Sequence, residues 1–575
     1  MTRSLSIYLL LSLALTLCCA HAPSQAPTAS LDESFHQSVE GIYKSIFDLN
    51  PTRGSAIGYH QYDGKLPDYS PLALVNRAEF LHHAQAELEG FPPAKLSPTL
   101  RLERAVLLNN VRGALFNLEV RRAQWRLPMT WLDPIDLLSY VTRDYKPLDA
   151  RARDVIAICR AAGPFLDAAR TTLEPRLPRT FLSIGLLQTN GAIAFVKKDV
   201  TEALDKVTDP ALRREIAGGL DACTAAFTRF RSELETRQPQ ATDDFALGEK
   251  NFLTMLSATE GVEIDLATLR RVGEADLARN LEALKEAAHA FAPDKSVRDA
   301  VLAAGDDRPE AGQVLALAGE QLAAMRRYVA EHGIVTIPSE DVAQARESPP
   351  FMRFNSAFLR SAPIFDPTPL PSFYFISAPD PAWPPAEQRA YIPPRDRLLV
   401  ITIHEVWPGH FLDYLHRKGN ASKVLKTFGS YSTTEGWAHY TEEMMWDEGA
   451  LGASPRAHIA MLVEALTRDV RFLSALGLHT GELTVAQSTQ LFLDKAFTDP
   501  GTARQQAVRG TFDPMYLNYT LGKLMIRKLR DDYKAKLGPA FSLKAFHDQL
   551  LTYGGGVPLP LVREAMLGPN AGPPL

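Results

Sequence analysis

The residues best suited to chemistry stand in one stretch, "ITIHEVWPGHFLDYLH", residues 401–416. His404 and Glu405 open it as the pattern H-E-x-x-H would. In that pattern two histidines one helical turn apart hold a zinc ion, and the glutamate takes a proton from the metal-bound water. Here Pro408 occupies the place of the second histidine, and the next histidine is His410. On an ideal helix at about 100° per residue, six positions turn through ~600°, which leaves the two imidazoles ~120° apart. Pro408 alters that arithmetic. Inside a helix a proline removes one i→i−4 bond and collides with a carbonyl of the preceding turn, here that of His404. With Gly409 beside it the helix can bulge or break. The spacing therefore predicts a distorted segment that returns His410 to the face of His404. A buried, hydrogen-bonded histidine pair at a kink would leave the same trace in this stretch.

A single catalytic metal needs a third protein ligand and an open position for water. Glu435, 25 residues beyond His410, opens "EGWAHYTEE". A glutamate on an adjacent antiparallel helix would fill the role. Glu435 shares a helical face with His439 at i+4 and with Glu442 at i+7. The alternative reading makes Glu435 an N-terminal helix charge and Glu442 and Glu443 solvated; Trp437, Met444 and Met445 read as core. No cysteine lies near these motifs, which argues against a closed structural zinc site, usually rich in Cys.

The elements that must position these residues are helices. "LDESFHQSVEGIYKSIFDL", "RLERAVLLNNVRGALFNLEVRRAQ" and "DLATLRRVGEADLARNLEALKEAAHAFA" repeat apolar residues at helical spacing. Ser, Thr or Asp often stands near a start, and Pro or Gly near an end. Strand-like alternation is scarce; "SFYFISA", residues 372–378, is the exception, inside a proline-rich stretch read as a functional loop region. The expected fold is all-α with minor β in the 370–380 region, a single large helical domain with a cleft.

At the N-terminus, Arg3 precedes an apolar run and then small residues around "CCAHA", the pattern of a secretory signal peptide. Residues 1–22 read as that signal, 23–32 as a linker, and 33–575 as the helical domain. Two cleavage readings stay open: a soluble export site at Ala20-His21-Ala22, and a lipoprotein box that would place a lipid on Cys18 or Cys19 and attach the chain to a membrane. Either way the mature protein is expected to be exported, to the periplasm, the outer membrane or the medium. Cys159 and Cys223 remain in the mature chain and read as small buried apolar residues, although an oxidising compartment would let them pair if close enough. Of 575 residues 46% are hydrophobic, with a net charge of −5; without a basic surplus, no nucleic-acid partner is expected.

Taken together, "HEVWPGH", "TTEGWAHYTEE", "YTLGKLMIRKLR" and "FSLKAFHDQLL" with the following "VPLPLV" resemble, in this order, the bacterial family known as domain of unknown function 885 (DUF885). Upstream, "FALGEKNFLTML" and "LNPTRGSAIGYHQYDGKLPDYS" also look like that family. The resemblance spans roughly residues 33–570. It implies a mostly helical fold similar to helical carboxypeptidases and oligopeptidases of the HExxH superfamily, and marks His404, Glu405, His410 and Glu435 as site residues. Two positions depart from the family pattern. Phe411 stands where a second consecutive histidine is frequent, and His439 where an apolar residue is usual, which leaves His439 as a substitute ligand.

The expected chemistry is hydrolysis of a peptide or small amide by an exported enzyme with one Zn²⁺ per chain. His404, His410 and Glu435 would bind the metal, and Glu405 would act as general base. Tyr519 is the candidate donor to the oxyanion, with Tyr516 second and Tyr440 third. His547 and Tyr374 are candidates for touching substrate. The competing expectation is a lipid-anchored or periplasmic binding or scaffold protein with a vestigial metal site. A serine hydrolase is not expected, since no G-x-S-x-G elbow is present. Oligomeric state and cleavage mode are open to either reading.

Overall fold

The computed structural model describes residues 30–349, 357–379 and 381–575. The signal-peptide and lipid readings lie outside these residues. Helices dominate, as the 3.6-residue periodicity requires, and the only sheet among the described residues has three short strands. In the N-terminal half, long helices pair side by side, Leu148–Thr172 against Pro210–Arg237 and Pro71–Glu89 against Pro98–Leu115. Cys159 and Cys223, on the first of these pairs, are buried and free.

The elements around the motifs are α1 (Leu266–Phe291), α2 (Val314–Glu331), α3 (Arg395–Glu405), α4 (His410–Gly419), α5 (Tyr431–Asp447), α6 (Pro455–Thr480), α7 (Pro500–Phe512), α8 (Asn518–Leu537) and α9 (Leu543–Tyr553). The strands are β1 (Ala343–Glu347), β2 (Ala357–Arg360) and β3 (Ser372–Ile376). β3 lies in the middle, parallel to β1 and antiparallel to β2, with Tyr374 opposite Ala345 and Leu359. The 370–380 region is thus the sheet's central strand, and β2 is an edge strand that packs on α3.

Two helix packings place the site. α5 lies along α8 and crosses α3, and α6 packs against α1 and α3. The α5–α8 contact is made at backbone distance. A Cβ on Gly436 would stand 2.4 Å from the Cα of Gly522, and a Cβ on Gly522 only 1.9 Å from the Ser432 carbonyl oxygen. Only glycine at both positions lets the two helices touch this closely. The start of α5 is fixed by Ser430, which caps Thr433 N–H, and by the buried Glu260. The Glu260 carboxylate accepts from the Ser430 hydroxyl (2.6 Å) and from the hydroxyl and amide of Ser432 (2.7 and 3.0 Å), a negative charge at the positive end of the helix dipole. Buried apolar side chains from Phe35 to Met566 form one contiguous cluster, so the site helices rest on the same core as the N-terminal pairs.

Candidate metal centre

The helix carrying the opening motif breaks where Pro408 stands. α3 ends at Glu405, residues 406–409 form a turn, and α4 restarts at His410. In place of the lost helical bonds, Trp407 N–H donates to Thr402 O (3.3 Å) and Gly409 N–H to Ile403 O (3.0 Å). The Trp407–Pro408 peptide is cis. Gly409 cannot be replaced without movement, because a Cβ there would lie 1.8 Å from the His404 carbonyl oxygen. Trp437 on α5 pins the turn, its indole N–H donating to Pro408 O at 2.9 Å. The break shortens the path between the histidines, whose rings stand 4.8 Å apart at 85°.

Glu435 reaches both rings. Its Oε2 is 3.5 Å from His404 Nε2 and 3.3 Å from His410 Nε2, and one ligand atom from each residue lies within 4.8 Å of the others. Atoms bound at about 2.0–2.2 Å to a tetrahedral ion stand roughly 3.4 Å apart, so the spacing suits one metal. Glu435 Oε2 is buried, and neither imidazole meets it with hydrogen-bond geometry. A buried carboxylate oxygen left in this state is costly unless a cation completes it. Two neutral nitrogens and one carboxylate are the donor set of a catalytic zinc with an open fourth position.

Behind His404 stands a group that the alternative reading placed in solvent. Glu442 is fully buried, and its Oε1 accepts from His404 Nδ1–H at 2.6 Å. This bond fixes the tautomer that leaves Nε2 facing Glu435. Arg468 holds Glu442 in turn (3.0 Å) and bonds Glu464 (2.8 Å), which also accepts from Arg397 (2.7 Å). Burial pulls the His404 imidazole down, but the carboxylates of Glu435 and Glu442 outweigh it and raise its pKa to about 9. The pocket favours positive charge at this point. Glu443, likewise read as solvated, is an ion-pair partner of Arg279 and Arg527.

Glu405 lies at the end of α3, beside the edge of the sheet, where its Oε2 accepts from Leu359 N–H at 2.9 Å. A cavity of about 380 Å³ opens here, lined among others by His410, Glu435, Leu359, Pro363, Tyr414 and Arg417. Tyr519 borders the cluster from α8. Its ring stacks on His404 with centroids 6.2 Å apart, and burial raises its hydroxyl pKa, the Glu435 charge adding to the effect.

The remaining candidates point elsewhere. Tyr440 and His547 are buried against each other: the Tyr440 hydroxyl meets His547 Nε2 at 2.9 Å, while His547 Nδ1–H donates to Ile334 O at 2.8 Å. Both ring nitrogens of His547 are engaged, so neither residue faces the cleft. Tyr374 is fully buried in β3 with its hydroxyl 3.2 Å from Thr402 Oγ1, behind α3. Tyr516 is also fully buried and donates to Ser474 Oγ at 2.8 Å. Helical spacing cannot separate these satisfied tyrosines from one at the cleft. His439 lies 3.5 Å from Glu442 Oε2, outside the cluster of His404, His410 and Glu435, so it does not stand in for any of them, and burial with the nearby Lys523 lowers its pKa to about 3. Phe411 packs edge-on against Trp407 in the core. Glu442 and Arg468 are what sequence reasoning missed. The available signal was the i+7 face that Glu442 shares with Glu435; Arg468 stands among Glu464, Asp469 and Arg471, and nothing in the local pattern sets it apart.

No curated protein matches this chain. Solved structures that share its architecture include two lipoprotein candidates. One, described as a candidate lipoprotein of unknown function from Shewanella oneidensis, has a TM-score of 0.78 at 21% identity, over 94% of this chain and 100% of that one. The other, a candidate lipoprotein from Colwellia psychrerythraea, has a TM-score of 0.78 at 18% identity, over 93% and 98%. Residues 51–566 match the family described as "Bacterial protein of unknown function (DUF885)". Fold, ordered motifs and family match agree, and the chain belongs to the DUF885 family.

Proposed function

We propose that this protein is an exported, zinc-dependent hydrolase of peptide or other amide bonds. The observation that carries the reading is the meeting of His404, His410 and Glu435 across a broken helix, with Glu435 Oε2 buried and unsatisfied between the two imidazoles. A zinc ion bound there supplies a water of lowered pKa and polarises the scissile carbonyl. Glu405 takes the proton of the attacking water and returns it to the leaving amine. The Leu359 amide holds one of its oxygens. Tyr519, stacked on His404, donates to the developing oxyanion. Glu442 keeps His404 in the ligating tautomer.

Metal analysis and a peptide-cleavage profile, run with and without chelator, test this. About one zinc per chain, lost in His404→Ala and Glu435→Ala, is expected, with cleavage that Glu405→Gln abolishes while keeping the metal. Stoichiometric metal in both ligand variants would overturn the ligand set. A zinc-loaded wild type that cleaves no library member would favour the binding-protein reading. The two similar structures described as candidate lipoproteins support a lipid on Cys18 or Cys19. No helix among the described residues is long and apolar enough to cross a membrane. Incorporation of a labelled fatty acid, lost when both cysteines become alanine, checks the anchor.

A further inference from the structure

Beside the metal cluster lies a concentration of positive charge that the hydrolytic steps do not use. Three guanidinium groups crowd the Tyr519 ring, with Cζ at 5.0 Å from its centroid for Arg471, 5.8 Å for Arg468 and 6.0 Å for Arg509. Because that ring stacks on His404, Arg471 and Arg509 stand one aromatic ring away from a proposed metal ligand, while Arg468 comes within 3.4 Å of its Nδ1. The three differ in how they are neutralised. Arg468 is engaged by Glu442 and Glu464. Arg509 pairs with Asp513 at 2.9 Å and donates to the Tyr431 hydroxyl at 3.1 Å. Arg471 has no carboxylate partner among the described residues. Its Nε donates to the neutral Gln506 Oε1 at 2.8 Å, and both terminal nitrogens are left open.

Holding Tyr519 does not account for this. A cation over an aromatic face contributes about 0.5–2 kcal/mol, and Arg468 and Arg509 already supply it. Arg471 is half-buried, and burial, reinforced by the Arg509 charge, pushes its guanidinium below the ordinary range. Charge kept in such surroundings without a counter-ion is unfavourable. Its planar fork matches a carboxylate through two parallel hydrogen bonds. The same sign of charge continues past Tyr431, which touches Tyr519 edge-on at 5.8 Å and also lines a cavity of about 430 Å³. Arg53 and Arg77 line that cavity, and neither forms an ion pair with a carboxylate among the described residues. Glu260, its acidic lining residue, is already held by Ser430 and Ser432.

Resting on the hydrolase reading, we propose that Arg471 is a specificity residue that binds a substrate carboxylate next to the scissile amide. The substrate class is peptides or acylamino acids in which the residue beside the cut bears a free carboxylate. That group is either the α-carboxylate of a chain end or the side chain of Asp or Glu.

The test uses the full zinc-loaded chain and three N-benzoyl dipeptide series: a free C-terminus, a C-terminal amide, and a C-terminal amide with Glu against Gln as last residue. A carboxylate-bearing substrate should exceed its neutral counterpart at least tenfold in kcat/KM, and which series shows this identifies the carboxylate. Arg471→Gln should collapse that ratio toward one through KM, with zinc content unchanged, and Arg471→Lys should retain part of it. Independently of turnover, calorimetry should show N-benzoylglycine binding the wild type at least tenfold more tightly than its primary amide. Equal binding of acid and amide, or a ratio that survives in Arg471→Gln, overturns the proposal. Discriminating binding without any cleavage would retain the subsite and overturn the hydrolase reading instead.

Discussion

At the scale of single residues, the centre is a chain of charge running away from the proposed ligands. His404 faces Glu435 through Nε2 and donates through Nδ1 to Glu442, which Arg468, Glu464 and Arg397 hold in sequence. A carboxylate behind a ligating histidine orients the ring and raises its basicity, and losing it commonly lowers metal affinity 10–100-fold. Glu442→Gln keeps the shape but offers Arg468 no charge and His404 a weaker acceptor. Its zinc affinity, measured by chelator competition, should fall by about that factor. Affinity within twofold of wild type would remove Glu442 as the orienting group.

At the scale of elements, two backbone contacts decide whether the residues meet. In Gly409→Ala the new methyl would lie 1.8 Å from the His404 carbonyl oxygen, in the turn that joins α3 to α4. The clash is with the backbone of His404 itself, so the turn must shift and carry His404 and His410 apart. Loss of bound zinc, read by metal analysis of the folded variant, is the expected outcome. Gly522→Ala acts differently, driving a methyl to 1.9 Å from Ser432 O and prising α8 from α5. Overpacking of this kind costs about 1–3 kcal/mol, and a lower midpoint of thermal unfolding should report it. A Gly522→Ala variant as stable as wild type would mean that the helices do not touch at the backbone.

At the scale of the whole molecule, buried neutral histidines tie stability to pH. His547 donates to Ile334 O and sits against the Tyr440 hydroxyl; His479 donates to Gly510 O and accepts from Leu247 N–H. Neither has a place for a second proton. Burial lowers both to about 4 from an ordinary 6.5. Each group's folded pKa is depressed, so the unfolded chain binds more protons between pH 6.5 and 4, and stability rises with pH across that window. Each histidine contributes stability present above 6.5 and lost as pH falls toward 4, on the order of 2 kcal/mol each between pH 7 and 5. Denaturant midpoints at pH 7 and 5 should show the loss, and His479→Gln should reduce it. A midpoint independent of pH would contradict neutral burial.

Much of this was legible in the chain itself. Apolar spacing of 3.6 residues imposes helices wherever it persists, so the all-α class and the strand at residues 372–376 follow from local pattern. The break at Pro408 follows from the missing N–H and the ring's clash with His404, and Gly409 supplies the room. What local pattern cannot carry is which side of each helix meets which neighbour. β1 and β2 pair with β3 over distance, and their own residues carry little of the alternation that marks a strand. Tyr374, Tyr440, Tyr516 and Tyr519 differ only in what tertiary packing put beside their hydroxyls and rings. Glu442 reads as a surface charge until α3 and α6 close over it with His404 and Arg468. The proposed ligand set was written in residue types and a helix breaker, because those act through bonds a few residues long. The second layer around the proposed ligands, and Arg471 beyond them without a carboxylate partner among the described residues, arose only when distant helices were brought together.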